Sequence, residues 1–244
     1  DSCLEIGIIS SKYIGGEYPK YPSTLFKSHI KDLAQTLECF YNSKLKNNIN
    51  HNFNGVNKTE IFGILVWLSN TSEINYDLIS KVDNIQIDSD IIFDKIILLD
   101  NSRVNFLYEC IYRTNEKVGR DNVDFVYHNT GLNFTSIQEK SYGKIFPLNY
   151  LYSDILALRI QKDNSISLKI FINDDFEEEQ FVQILNFAKS FDHLNAVDIT
   201  EFNYKSYDYL VDENQVKEKL VNFPIYRLNE NLEIKKFPSD FRNQ

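Results

Sequence analysis

The spacing of apolar positions changes several times along the chain, and each change marks an element. Asp1 to Tyr13 is a short run rich in isoleucine and broken by Gly7, which reads as a buried central strand. Gly15-Gly16, Pro19 and Pro22 signal a loop, with Ser23 as the natural N-cap of a helix. Leu25, Phe26, Ile30, Leu33, Leu37 and Phe40 then recur at helical spacing and predict an amphipathic helix from about Thr24 to Ser43. An Asn-rich loop over 44–57 leads to a second buried strand, Ile61 to Ser69, and a short helix, Tyr76 to Val82. Lys95 to Leu99 is a third strand, and Asp100-Asn101-Ser102 turns the chain and caps a helix from about Arg103 to Thr114.

The second half is less regular. Val123 to Tyr127 reads as a strand, 129–154 as an irregular section, and Ser165 to Asn173 alternates cleanly, the mark of a strand with one wet face. Asp174 or Asp175 caps the next helix, Glu177, Glu178 and Glu179 suit the positive end of its dipole, and Phe181, Ile184, Leu185, Ala188 and Phe191 form its inner stripe. A short strand at Ala196 to Thr200, a helix at Asn214 to Leu220 and a strand at Phe223 to Leu228 complete the reading. Strands alternating with helices predict an α/β fold, a mixed central sheet flanked by helices. A soft boundary near residue 160 separates a core, 1–160, from an α/β extension, 161–244, which could equally be part of the same domain.

Composition changes this picture only a little. With 43% hydrophobic residues in 244, the chain can bury a sizeable core. It has no run of eighteen apolar residues and no basic leader at its start, so no membrane span is expected and the cytoplasm is the default location. Cys3, Cys39 and Cys110 lack paired spacing and are read as buried thiols. The chain starts at Asp1 and contains no methionine, from which we expect an upstream segment and some shortened offsets.

Charge bears on function more directly. A net charge of −9 disfavours bulk attraction to nucleic acid, yet residues 1–60 carry seven lysines against six acids, a locally basic stretch. Within it, Glu5 stands in an apolar strand, where a carboxylate needs a partner, a metal or water, and Lys12 stands at the strand's far end. His29 lies at i,i+3 from Asp32, a spacing that suits a weak surface hydrogen bond better than an active-site pair; His51, His128 and His193 show no ligand spacing. There is no Walker-type loop, no G-x-S-x-G elbow, no dinucleotide-binding GxGxxG and no HExxH.

A strand bearing Glu5 and Lys12, a long helix, an apolar strand, and then Lys95-Ile96-Ile97-Leu98-Leu99-Asp100 leading into a helix together resemble the PD-(D/E)XK, restriction-endonuclease-like nucleases over about residues 1–115. The resemblance implies a restriction-endonuclease-like core, without its N-terminal elements, and a metal-dependent nuclease that cleaves DNA in bacterial restriction or phage defence. In that superfamily two acids bind Mg2+, and a lysine two residues after the second positions the attacking water and helps to deprotonate it. Lys12 matches the lysine, whereas Ser10 stands where the common pattern has an acid.

Glu5, seven residues before Lys12, falls on the opposite face of a regular strand unless Gly7 bulges. Some members read Ser-x-Lys and take the displaced acid from the following helix, which here points to Asp32 or, less well placed, Glu38. The candidate set is therefore Lys12 and Glu5 for catalysis and Glu5, Asp32 and Asp1 for the metal, although the family's first Asp is expected upstream. DNA is the implied partner, with a homodimer or a partner protein as further options. The alternative reading is a catalytically inactive nuclease-like fold that binds protein or nucleic acid.

Overall fold

A computed structural model of the chain describes residues 3–44, 48–49, 58–70, 76, 78–86, 95–127, 142–189, 198–206 and 232–236. The chain divides into two compact units, Asp1–Asn105 and Phe106–Gln244. The boundary expected near residue 160 falls instead inside a tight hairpin of the second unit, where ladder pairing from Ile155 to Lys162 joins the two sides. The α/β class holds, with helices packed on sheets in both units.

The first unit is a parallel sheet ordered β1-β2-β3, formed by β1 (Cys3–Ile14), β2 (Lys58–Ser69) and β3 (Lys95–Leu99). Parallel neighbours need a crossover, and α1 (Ser23–Tyr41) supplies it between β1 and β2. Phe26, Ile30, Leu33 and Leu37 form the buried stripe of α1. They pack on the sheet face that carries Ile8, Ile61, Leu65 and Trp67. Pro22, not Ser23, occupies the cap, because its ring fixes φ at −75° and starts helical geometry one residue early. The short helix α2 (Ile79–Val82) adds Val82 to this core.

β1 departs from the central strand read in the sequence. Among the described residues it pairs with β2 alone, and Ile9 and Tyr13 on its outer face are 62% and 68% exposed. β2 is the central strand instead, with Phe62, Leu65 and Trp67 fully buried.

A polar lock joins the carboxyl ends of the strands. The Asn101 side chain accepts from the Ser69 backbone N–H at 3.0 Å and donates to the Ser69 carbonyl at 2.9 Å, copying a backbone pairing. Tyr18 donates to the Trp67 carbonyl at 2.6 Å and accepts from the Asn101 N–H at 3.1 Å, while the Ser69 hydroxyl donates to the Gly16 carbonyl at 2.6 Å. Asp100 accepts from the Arg103 N–H at 2.9 Å and so caps α3 (Asn101–Leu107), which begins two residues before the predicted helix.

In the second unit a π-helical segment, Tyr108–Tyr112, leads into α4 (Arg113–Val118), and Gly119 at φ 87° ends the helix. A six-stranded mixed sheet comes next, ordered β5-β4-β6-β7-β8-β9, from β4 (Val123–Val126), β5 (Tyr142–Gly143), β6 (Ile155–Lys162), β7 (Ser165–Asp175), β8 (Ile199–Ser206) and β9 (Leu232–Lys236). Asp163 and Asn164, both at positive φ, make the two-residue turn between β6 and β7. α5 (Glu178–Lys189) buries Phe181, Ile184 and Leu185 against Leu168, Ile170, Phe202 and Tyr204 on one sheet face. Phe106, Cys110, Val123 and Tyr150 pack with Leu156 and Leu158 in a second cluster.

β8 is longer than the predicted strand at Ala196 to Thr200, and β6 and β9 were not predicted. The helix and strand predicted at 214–220 and 223–228 lie outside the described residues, as does Phe191. Of the cysteines read as buried, Cys110 is buried and Cys39 is exposed, since position 39 lies on the outer face of α1; the Cys3 side chain is not among those described.

Candidate functional site

Lys12 sits near the carboxyl end of β1, where open α/β sheets place ligands. Strand alternation turns its side chain to the same face as Ser10 and Ile8, the face that α1 covers. Its register partner on β2 is Trp67, so the two side chains are neighbours on that face. One turn of α1 then brings two polar groups over them. His29 stands edge-to-face with Trp67, ring centroids 4.9 Å apart, and Asp32 accepts a hydrogen bond from the Lys12 ammonium at 2.7 Å.

The electrostatics arise from this packing. The hydrogen bond from Lys12, reinforced by its charge, holds the Asp32 carboxyl below the usual carboxylate range. Burial, and then the nearby Lys12 ammonium, push His29 below the usual imidazole range against the opposing pull of Asp32, so the ring is neutral at pH 7. His29 Nε2 and Trp67 Nε1 are both buried without a hydrogen-bond partner. Between His29 and Asp32 the interaction is electrostatic, not the hydrogen bond favoured by their spacing; Nε2 is enclosed and the ring lies against Trp67. The ion pair stays open to water, with side-chain exposures of 28% for Lys12 and 48% for Asp32.

Of the candidates read from sequence, the structure brings Lys12 and Asp32 together and leaves Glu5 apart. The β1–β2 register runs without a shift from Cys3 to Ile14, so Gly7 forms no bulge. A Cβ at Gly7 would stand 3.2 Å from both Ile64 and Phe62, so the missing side chain serves close packing. Glu5 is therefore exposed on the face opposite Lys12, beside its register partner Glu60. Asp1 lies outside the described residues, and Glu38 is exposed farther along α1.

A Mg2+ site takes about six oxygen ligands, commonly with one or two protein carboxylates among them. Among the described residues, Asp32 alone of the expected ligands stands beside Lys12, and its Oδ2 is engaged by the ammonium. No group of three or more His, Cys, Asp or Glu side chains placed to hold a metal occurs among them. The described residues do not fit a metal centre by themselves. What they offer is a cation at a strand end, held by one exposed carboxylate and backed by a neutral aromatic wall. Sequence reading missed Trp67 as the neighbour of Lys12; its place as the chain's one tryptophan, in an apolar strand, was the available signal.

The parallel sheet with its crossover helix and strand-end lysine is an α/β unit consistent with a nuclease-like fold. Residues 1–103 match the family model of the GAPS4 protein PD-(D/E)XK nuclease domain, so the resemblance to the PD-(D/E)XK superfamily holds for the N-terminal part of the chain. Comparisons with curated proteins and with solved structures give no match. Nucleases of this superfamily generally use divalent metal ions. Among the described residues, no helix is long and apolar enough to cross a membrane.

Proposed function

We propose that the N-terminal part of the chain is the nuclease domain of a phage-defence or restriction protein of the bacterial cytoplasm, and that it cleaves DNA phosphodiester bonds with Mg2+. The observation that carries this reading is the match over residues 1–103 together with Lys12 at the carboxyl end of β1. In this reading Lys12 holds a backbone phosphate and the attacking water, and Glu5, on the opposite face of β1, has no role there. DNA is the partner, and a second copy of the chain or a partner protein is a further one. Supercoiled plasmid incubated at low salt with Mg2+ or with EDTA tests the activity. Nicked or linear product in the Mg2+ arm alone is expected, and intact plasmid in both arms with Mn2+ also inactive refutes it.

The rival is a nuclease-like fold that binds without cleaving. It is favoured by the engagement of Lys12 with Asp32 and by the lack of converging metal ligands among the described residues. It predicts no heat of Mg2+ or Mn2+ binding in calorimetry.

A further inference from the structure

We propose that Asp32 is the resting counter-ion of Lys12, and that a backbone phosphate of nucleic acid takes its place when substrate binds. The inference rests on the nuclease-domain reading for its substrate and on geometry for the rest. Three elements surround the Lys12 ammonium: its own strand, β2 through Trp67, and α1 through His29 and Asp32. Trp67 carries no charge and His29 is neutral at pH 7, which leaves Asp32 as the anionic partner of Lys12 among the described residues.

The pair is built to open. Its two side chains are 28% and 48% exposed, and an ion pair so open to water is weak, so a phosphate competes for the ammonium on nearly equal terms. Asp32 cannot follow Lys12 when it moves, because neighbouring Ile30 and Leu33 pin that turn of α1 in the core with 1% and 0% exposure. Lys12 has a flexible four-carbon stem, so the ammonium moves and the carboxylate stays. The same geometry speaks against Asp32 as a metal ligand, since its Oδ2 lies 2.7 Å from a cation.

Fluorescence anisotropy of a labelled DNA duplex, titrated with the full chain in EDTA, tests the exchange in a double-mutant cycle. Asp32→Asn is expected to bind DNA roughly two- to fivefold more tightly than wild type, the effect of one exposed ion pair. Lys12→Ala is expected to bind more weakly, and adding Asp32→Asn to Lys12→Ala is expected to change nothing further. Asp32→Ser serves as the second variant and should repeat the gain. Equal or weaker binding by both Asp32 variants overturns the proposal, as does a gain that persists without Lys12, which would be a general charge effect. Absence of DNA binding by every protein at low salt overturns it as well. Loss of Mg2+-dependent plasmid cleavage in Asp32→Asn with DNA binding retained would make Asp32 a metal ligand and overturn it too. Failure of the nuclease reading appears separately, as intact plasmid with wild-type protein, and the binding cycle still decides the role of Asp32.

Discussion

Glu109 offers a quantitative test of the second unit. Its side chain is 4% exposed within the π-helical segment, and Oε1 has no hydrogen-bond partner. Burial raises its pKa from 4.5 to about 7, against the opposing charges of Arg113 and Lys117. The folded protein therefore holds this proton more tightly than the unfolded chain does. The group costs nothing below about pH 4.5, its cost grows as the pH rises toward 7, and the full penalty stands above that. A shift of that size corresponds to a ceiling of about 3 kcal/mol. That ceiling already includes the two neighbouring cations, and screening by water lowers the working value to about 1–2 kcal/mol.

Glu109→Gln keeps the shape and removes the titration, so any constant packing offset cancels between two pH values. Urea denaturation of wild type and variant at pH 5 and pH 8 should show a gain for the variant that is larger at pH 8 by about 1–2 kcal/mol. A difference between the two proteins that is the same at both pH values would refute the assignment of a buried, proton-holding carboxyl at this position.

Leu33→Ala removes a fully buried side chain between α1 and the sheet, and should cost about 2–5 kcal/mol by urea denaturation. Asn101→Ala removes both bonds to the Ser69 backbone and should lower stability by about 1–3 kcal/mol, seen as a lower melting temperature. Gly7→Ala places a methyl 3.2 Å from Phe62 and Ile64, which must shift by a few tenths of an ångström, so a lower melting temperature is expected; an unchanged one would refute close packing as the reason for the glycine.

How much the sequence revealed depended on where each signal was recorded. The long period of α1 and the alternation of β7 are local, so Phe26, Ile30, Leu33 and Leu37 were recognised as core from spacing alone. In β1 the apolar residues fall on both faces, which reads as two-sided burial, yet Ile9 and Tyr13 are exposed because, among the described residues, β2 covers one edge and α1 the other face. The β6–β7 hairpin was obscured because Asp163-Asn164 was not recognised as a tight turn, and a domain boundary was read there instead. The start of α3 came early because Asp100, the last polar residue before the helix, took the cap that Asn101 could also have filled.

The candidate site divides in the same way. That Glu5 and Lys12 face opposite ways is a consequence of a period of two, and the unbroken register bears the geometry out. The meeting of Lys12 with Asp32, twenty residues away, depends on how α1 folds back over β1, and spacing left Glu38 open as an alternative. The positions of His29 over Trp67 and of Trp67 beside Lys12 depend on the β1–β2 register, which no local pattern records.

The central claim is that Lys12 serves cleavage of nucleic acid, and the rate of plasmid cleavage by wild type and Lys12→Ala, measured at saturating DNA with Mg2+ at low salt, tests it most directly. The account predicts a loss of about 100-fold or more in the variant, the scale of a group that positions and helps to deprotonate the attacking water. Equal rates in the two proteins would contradict it.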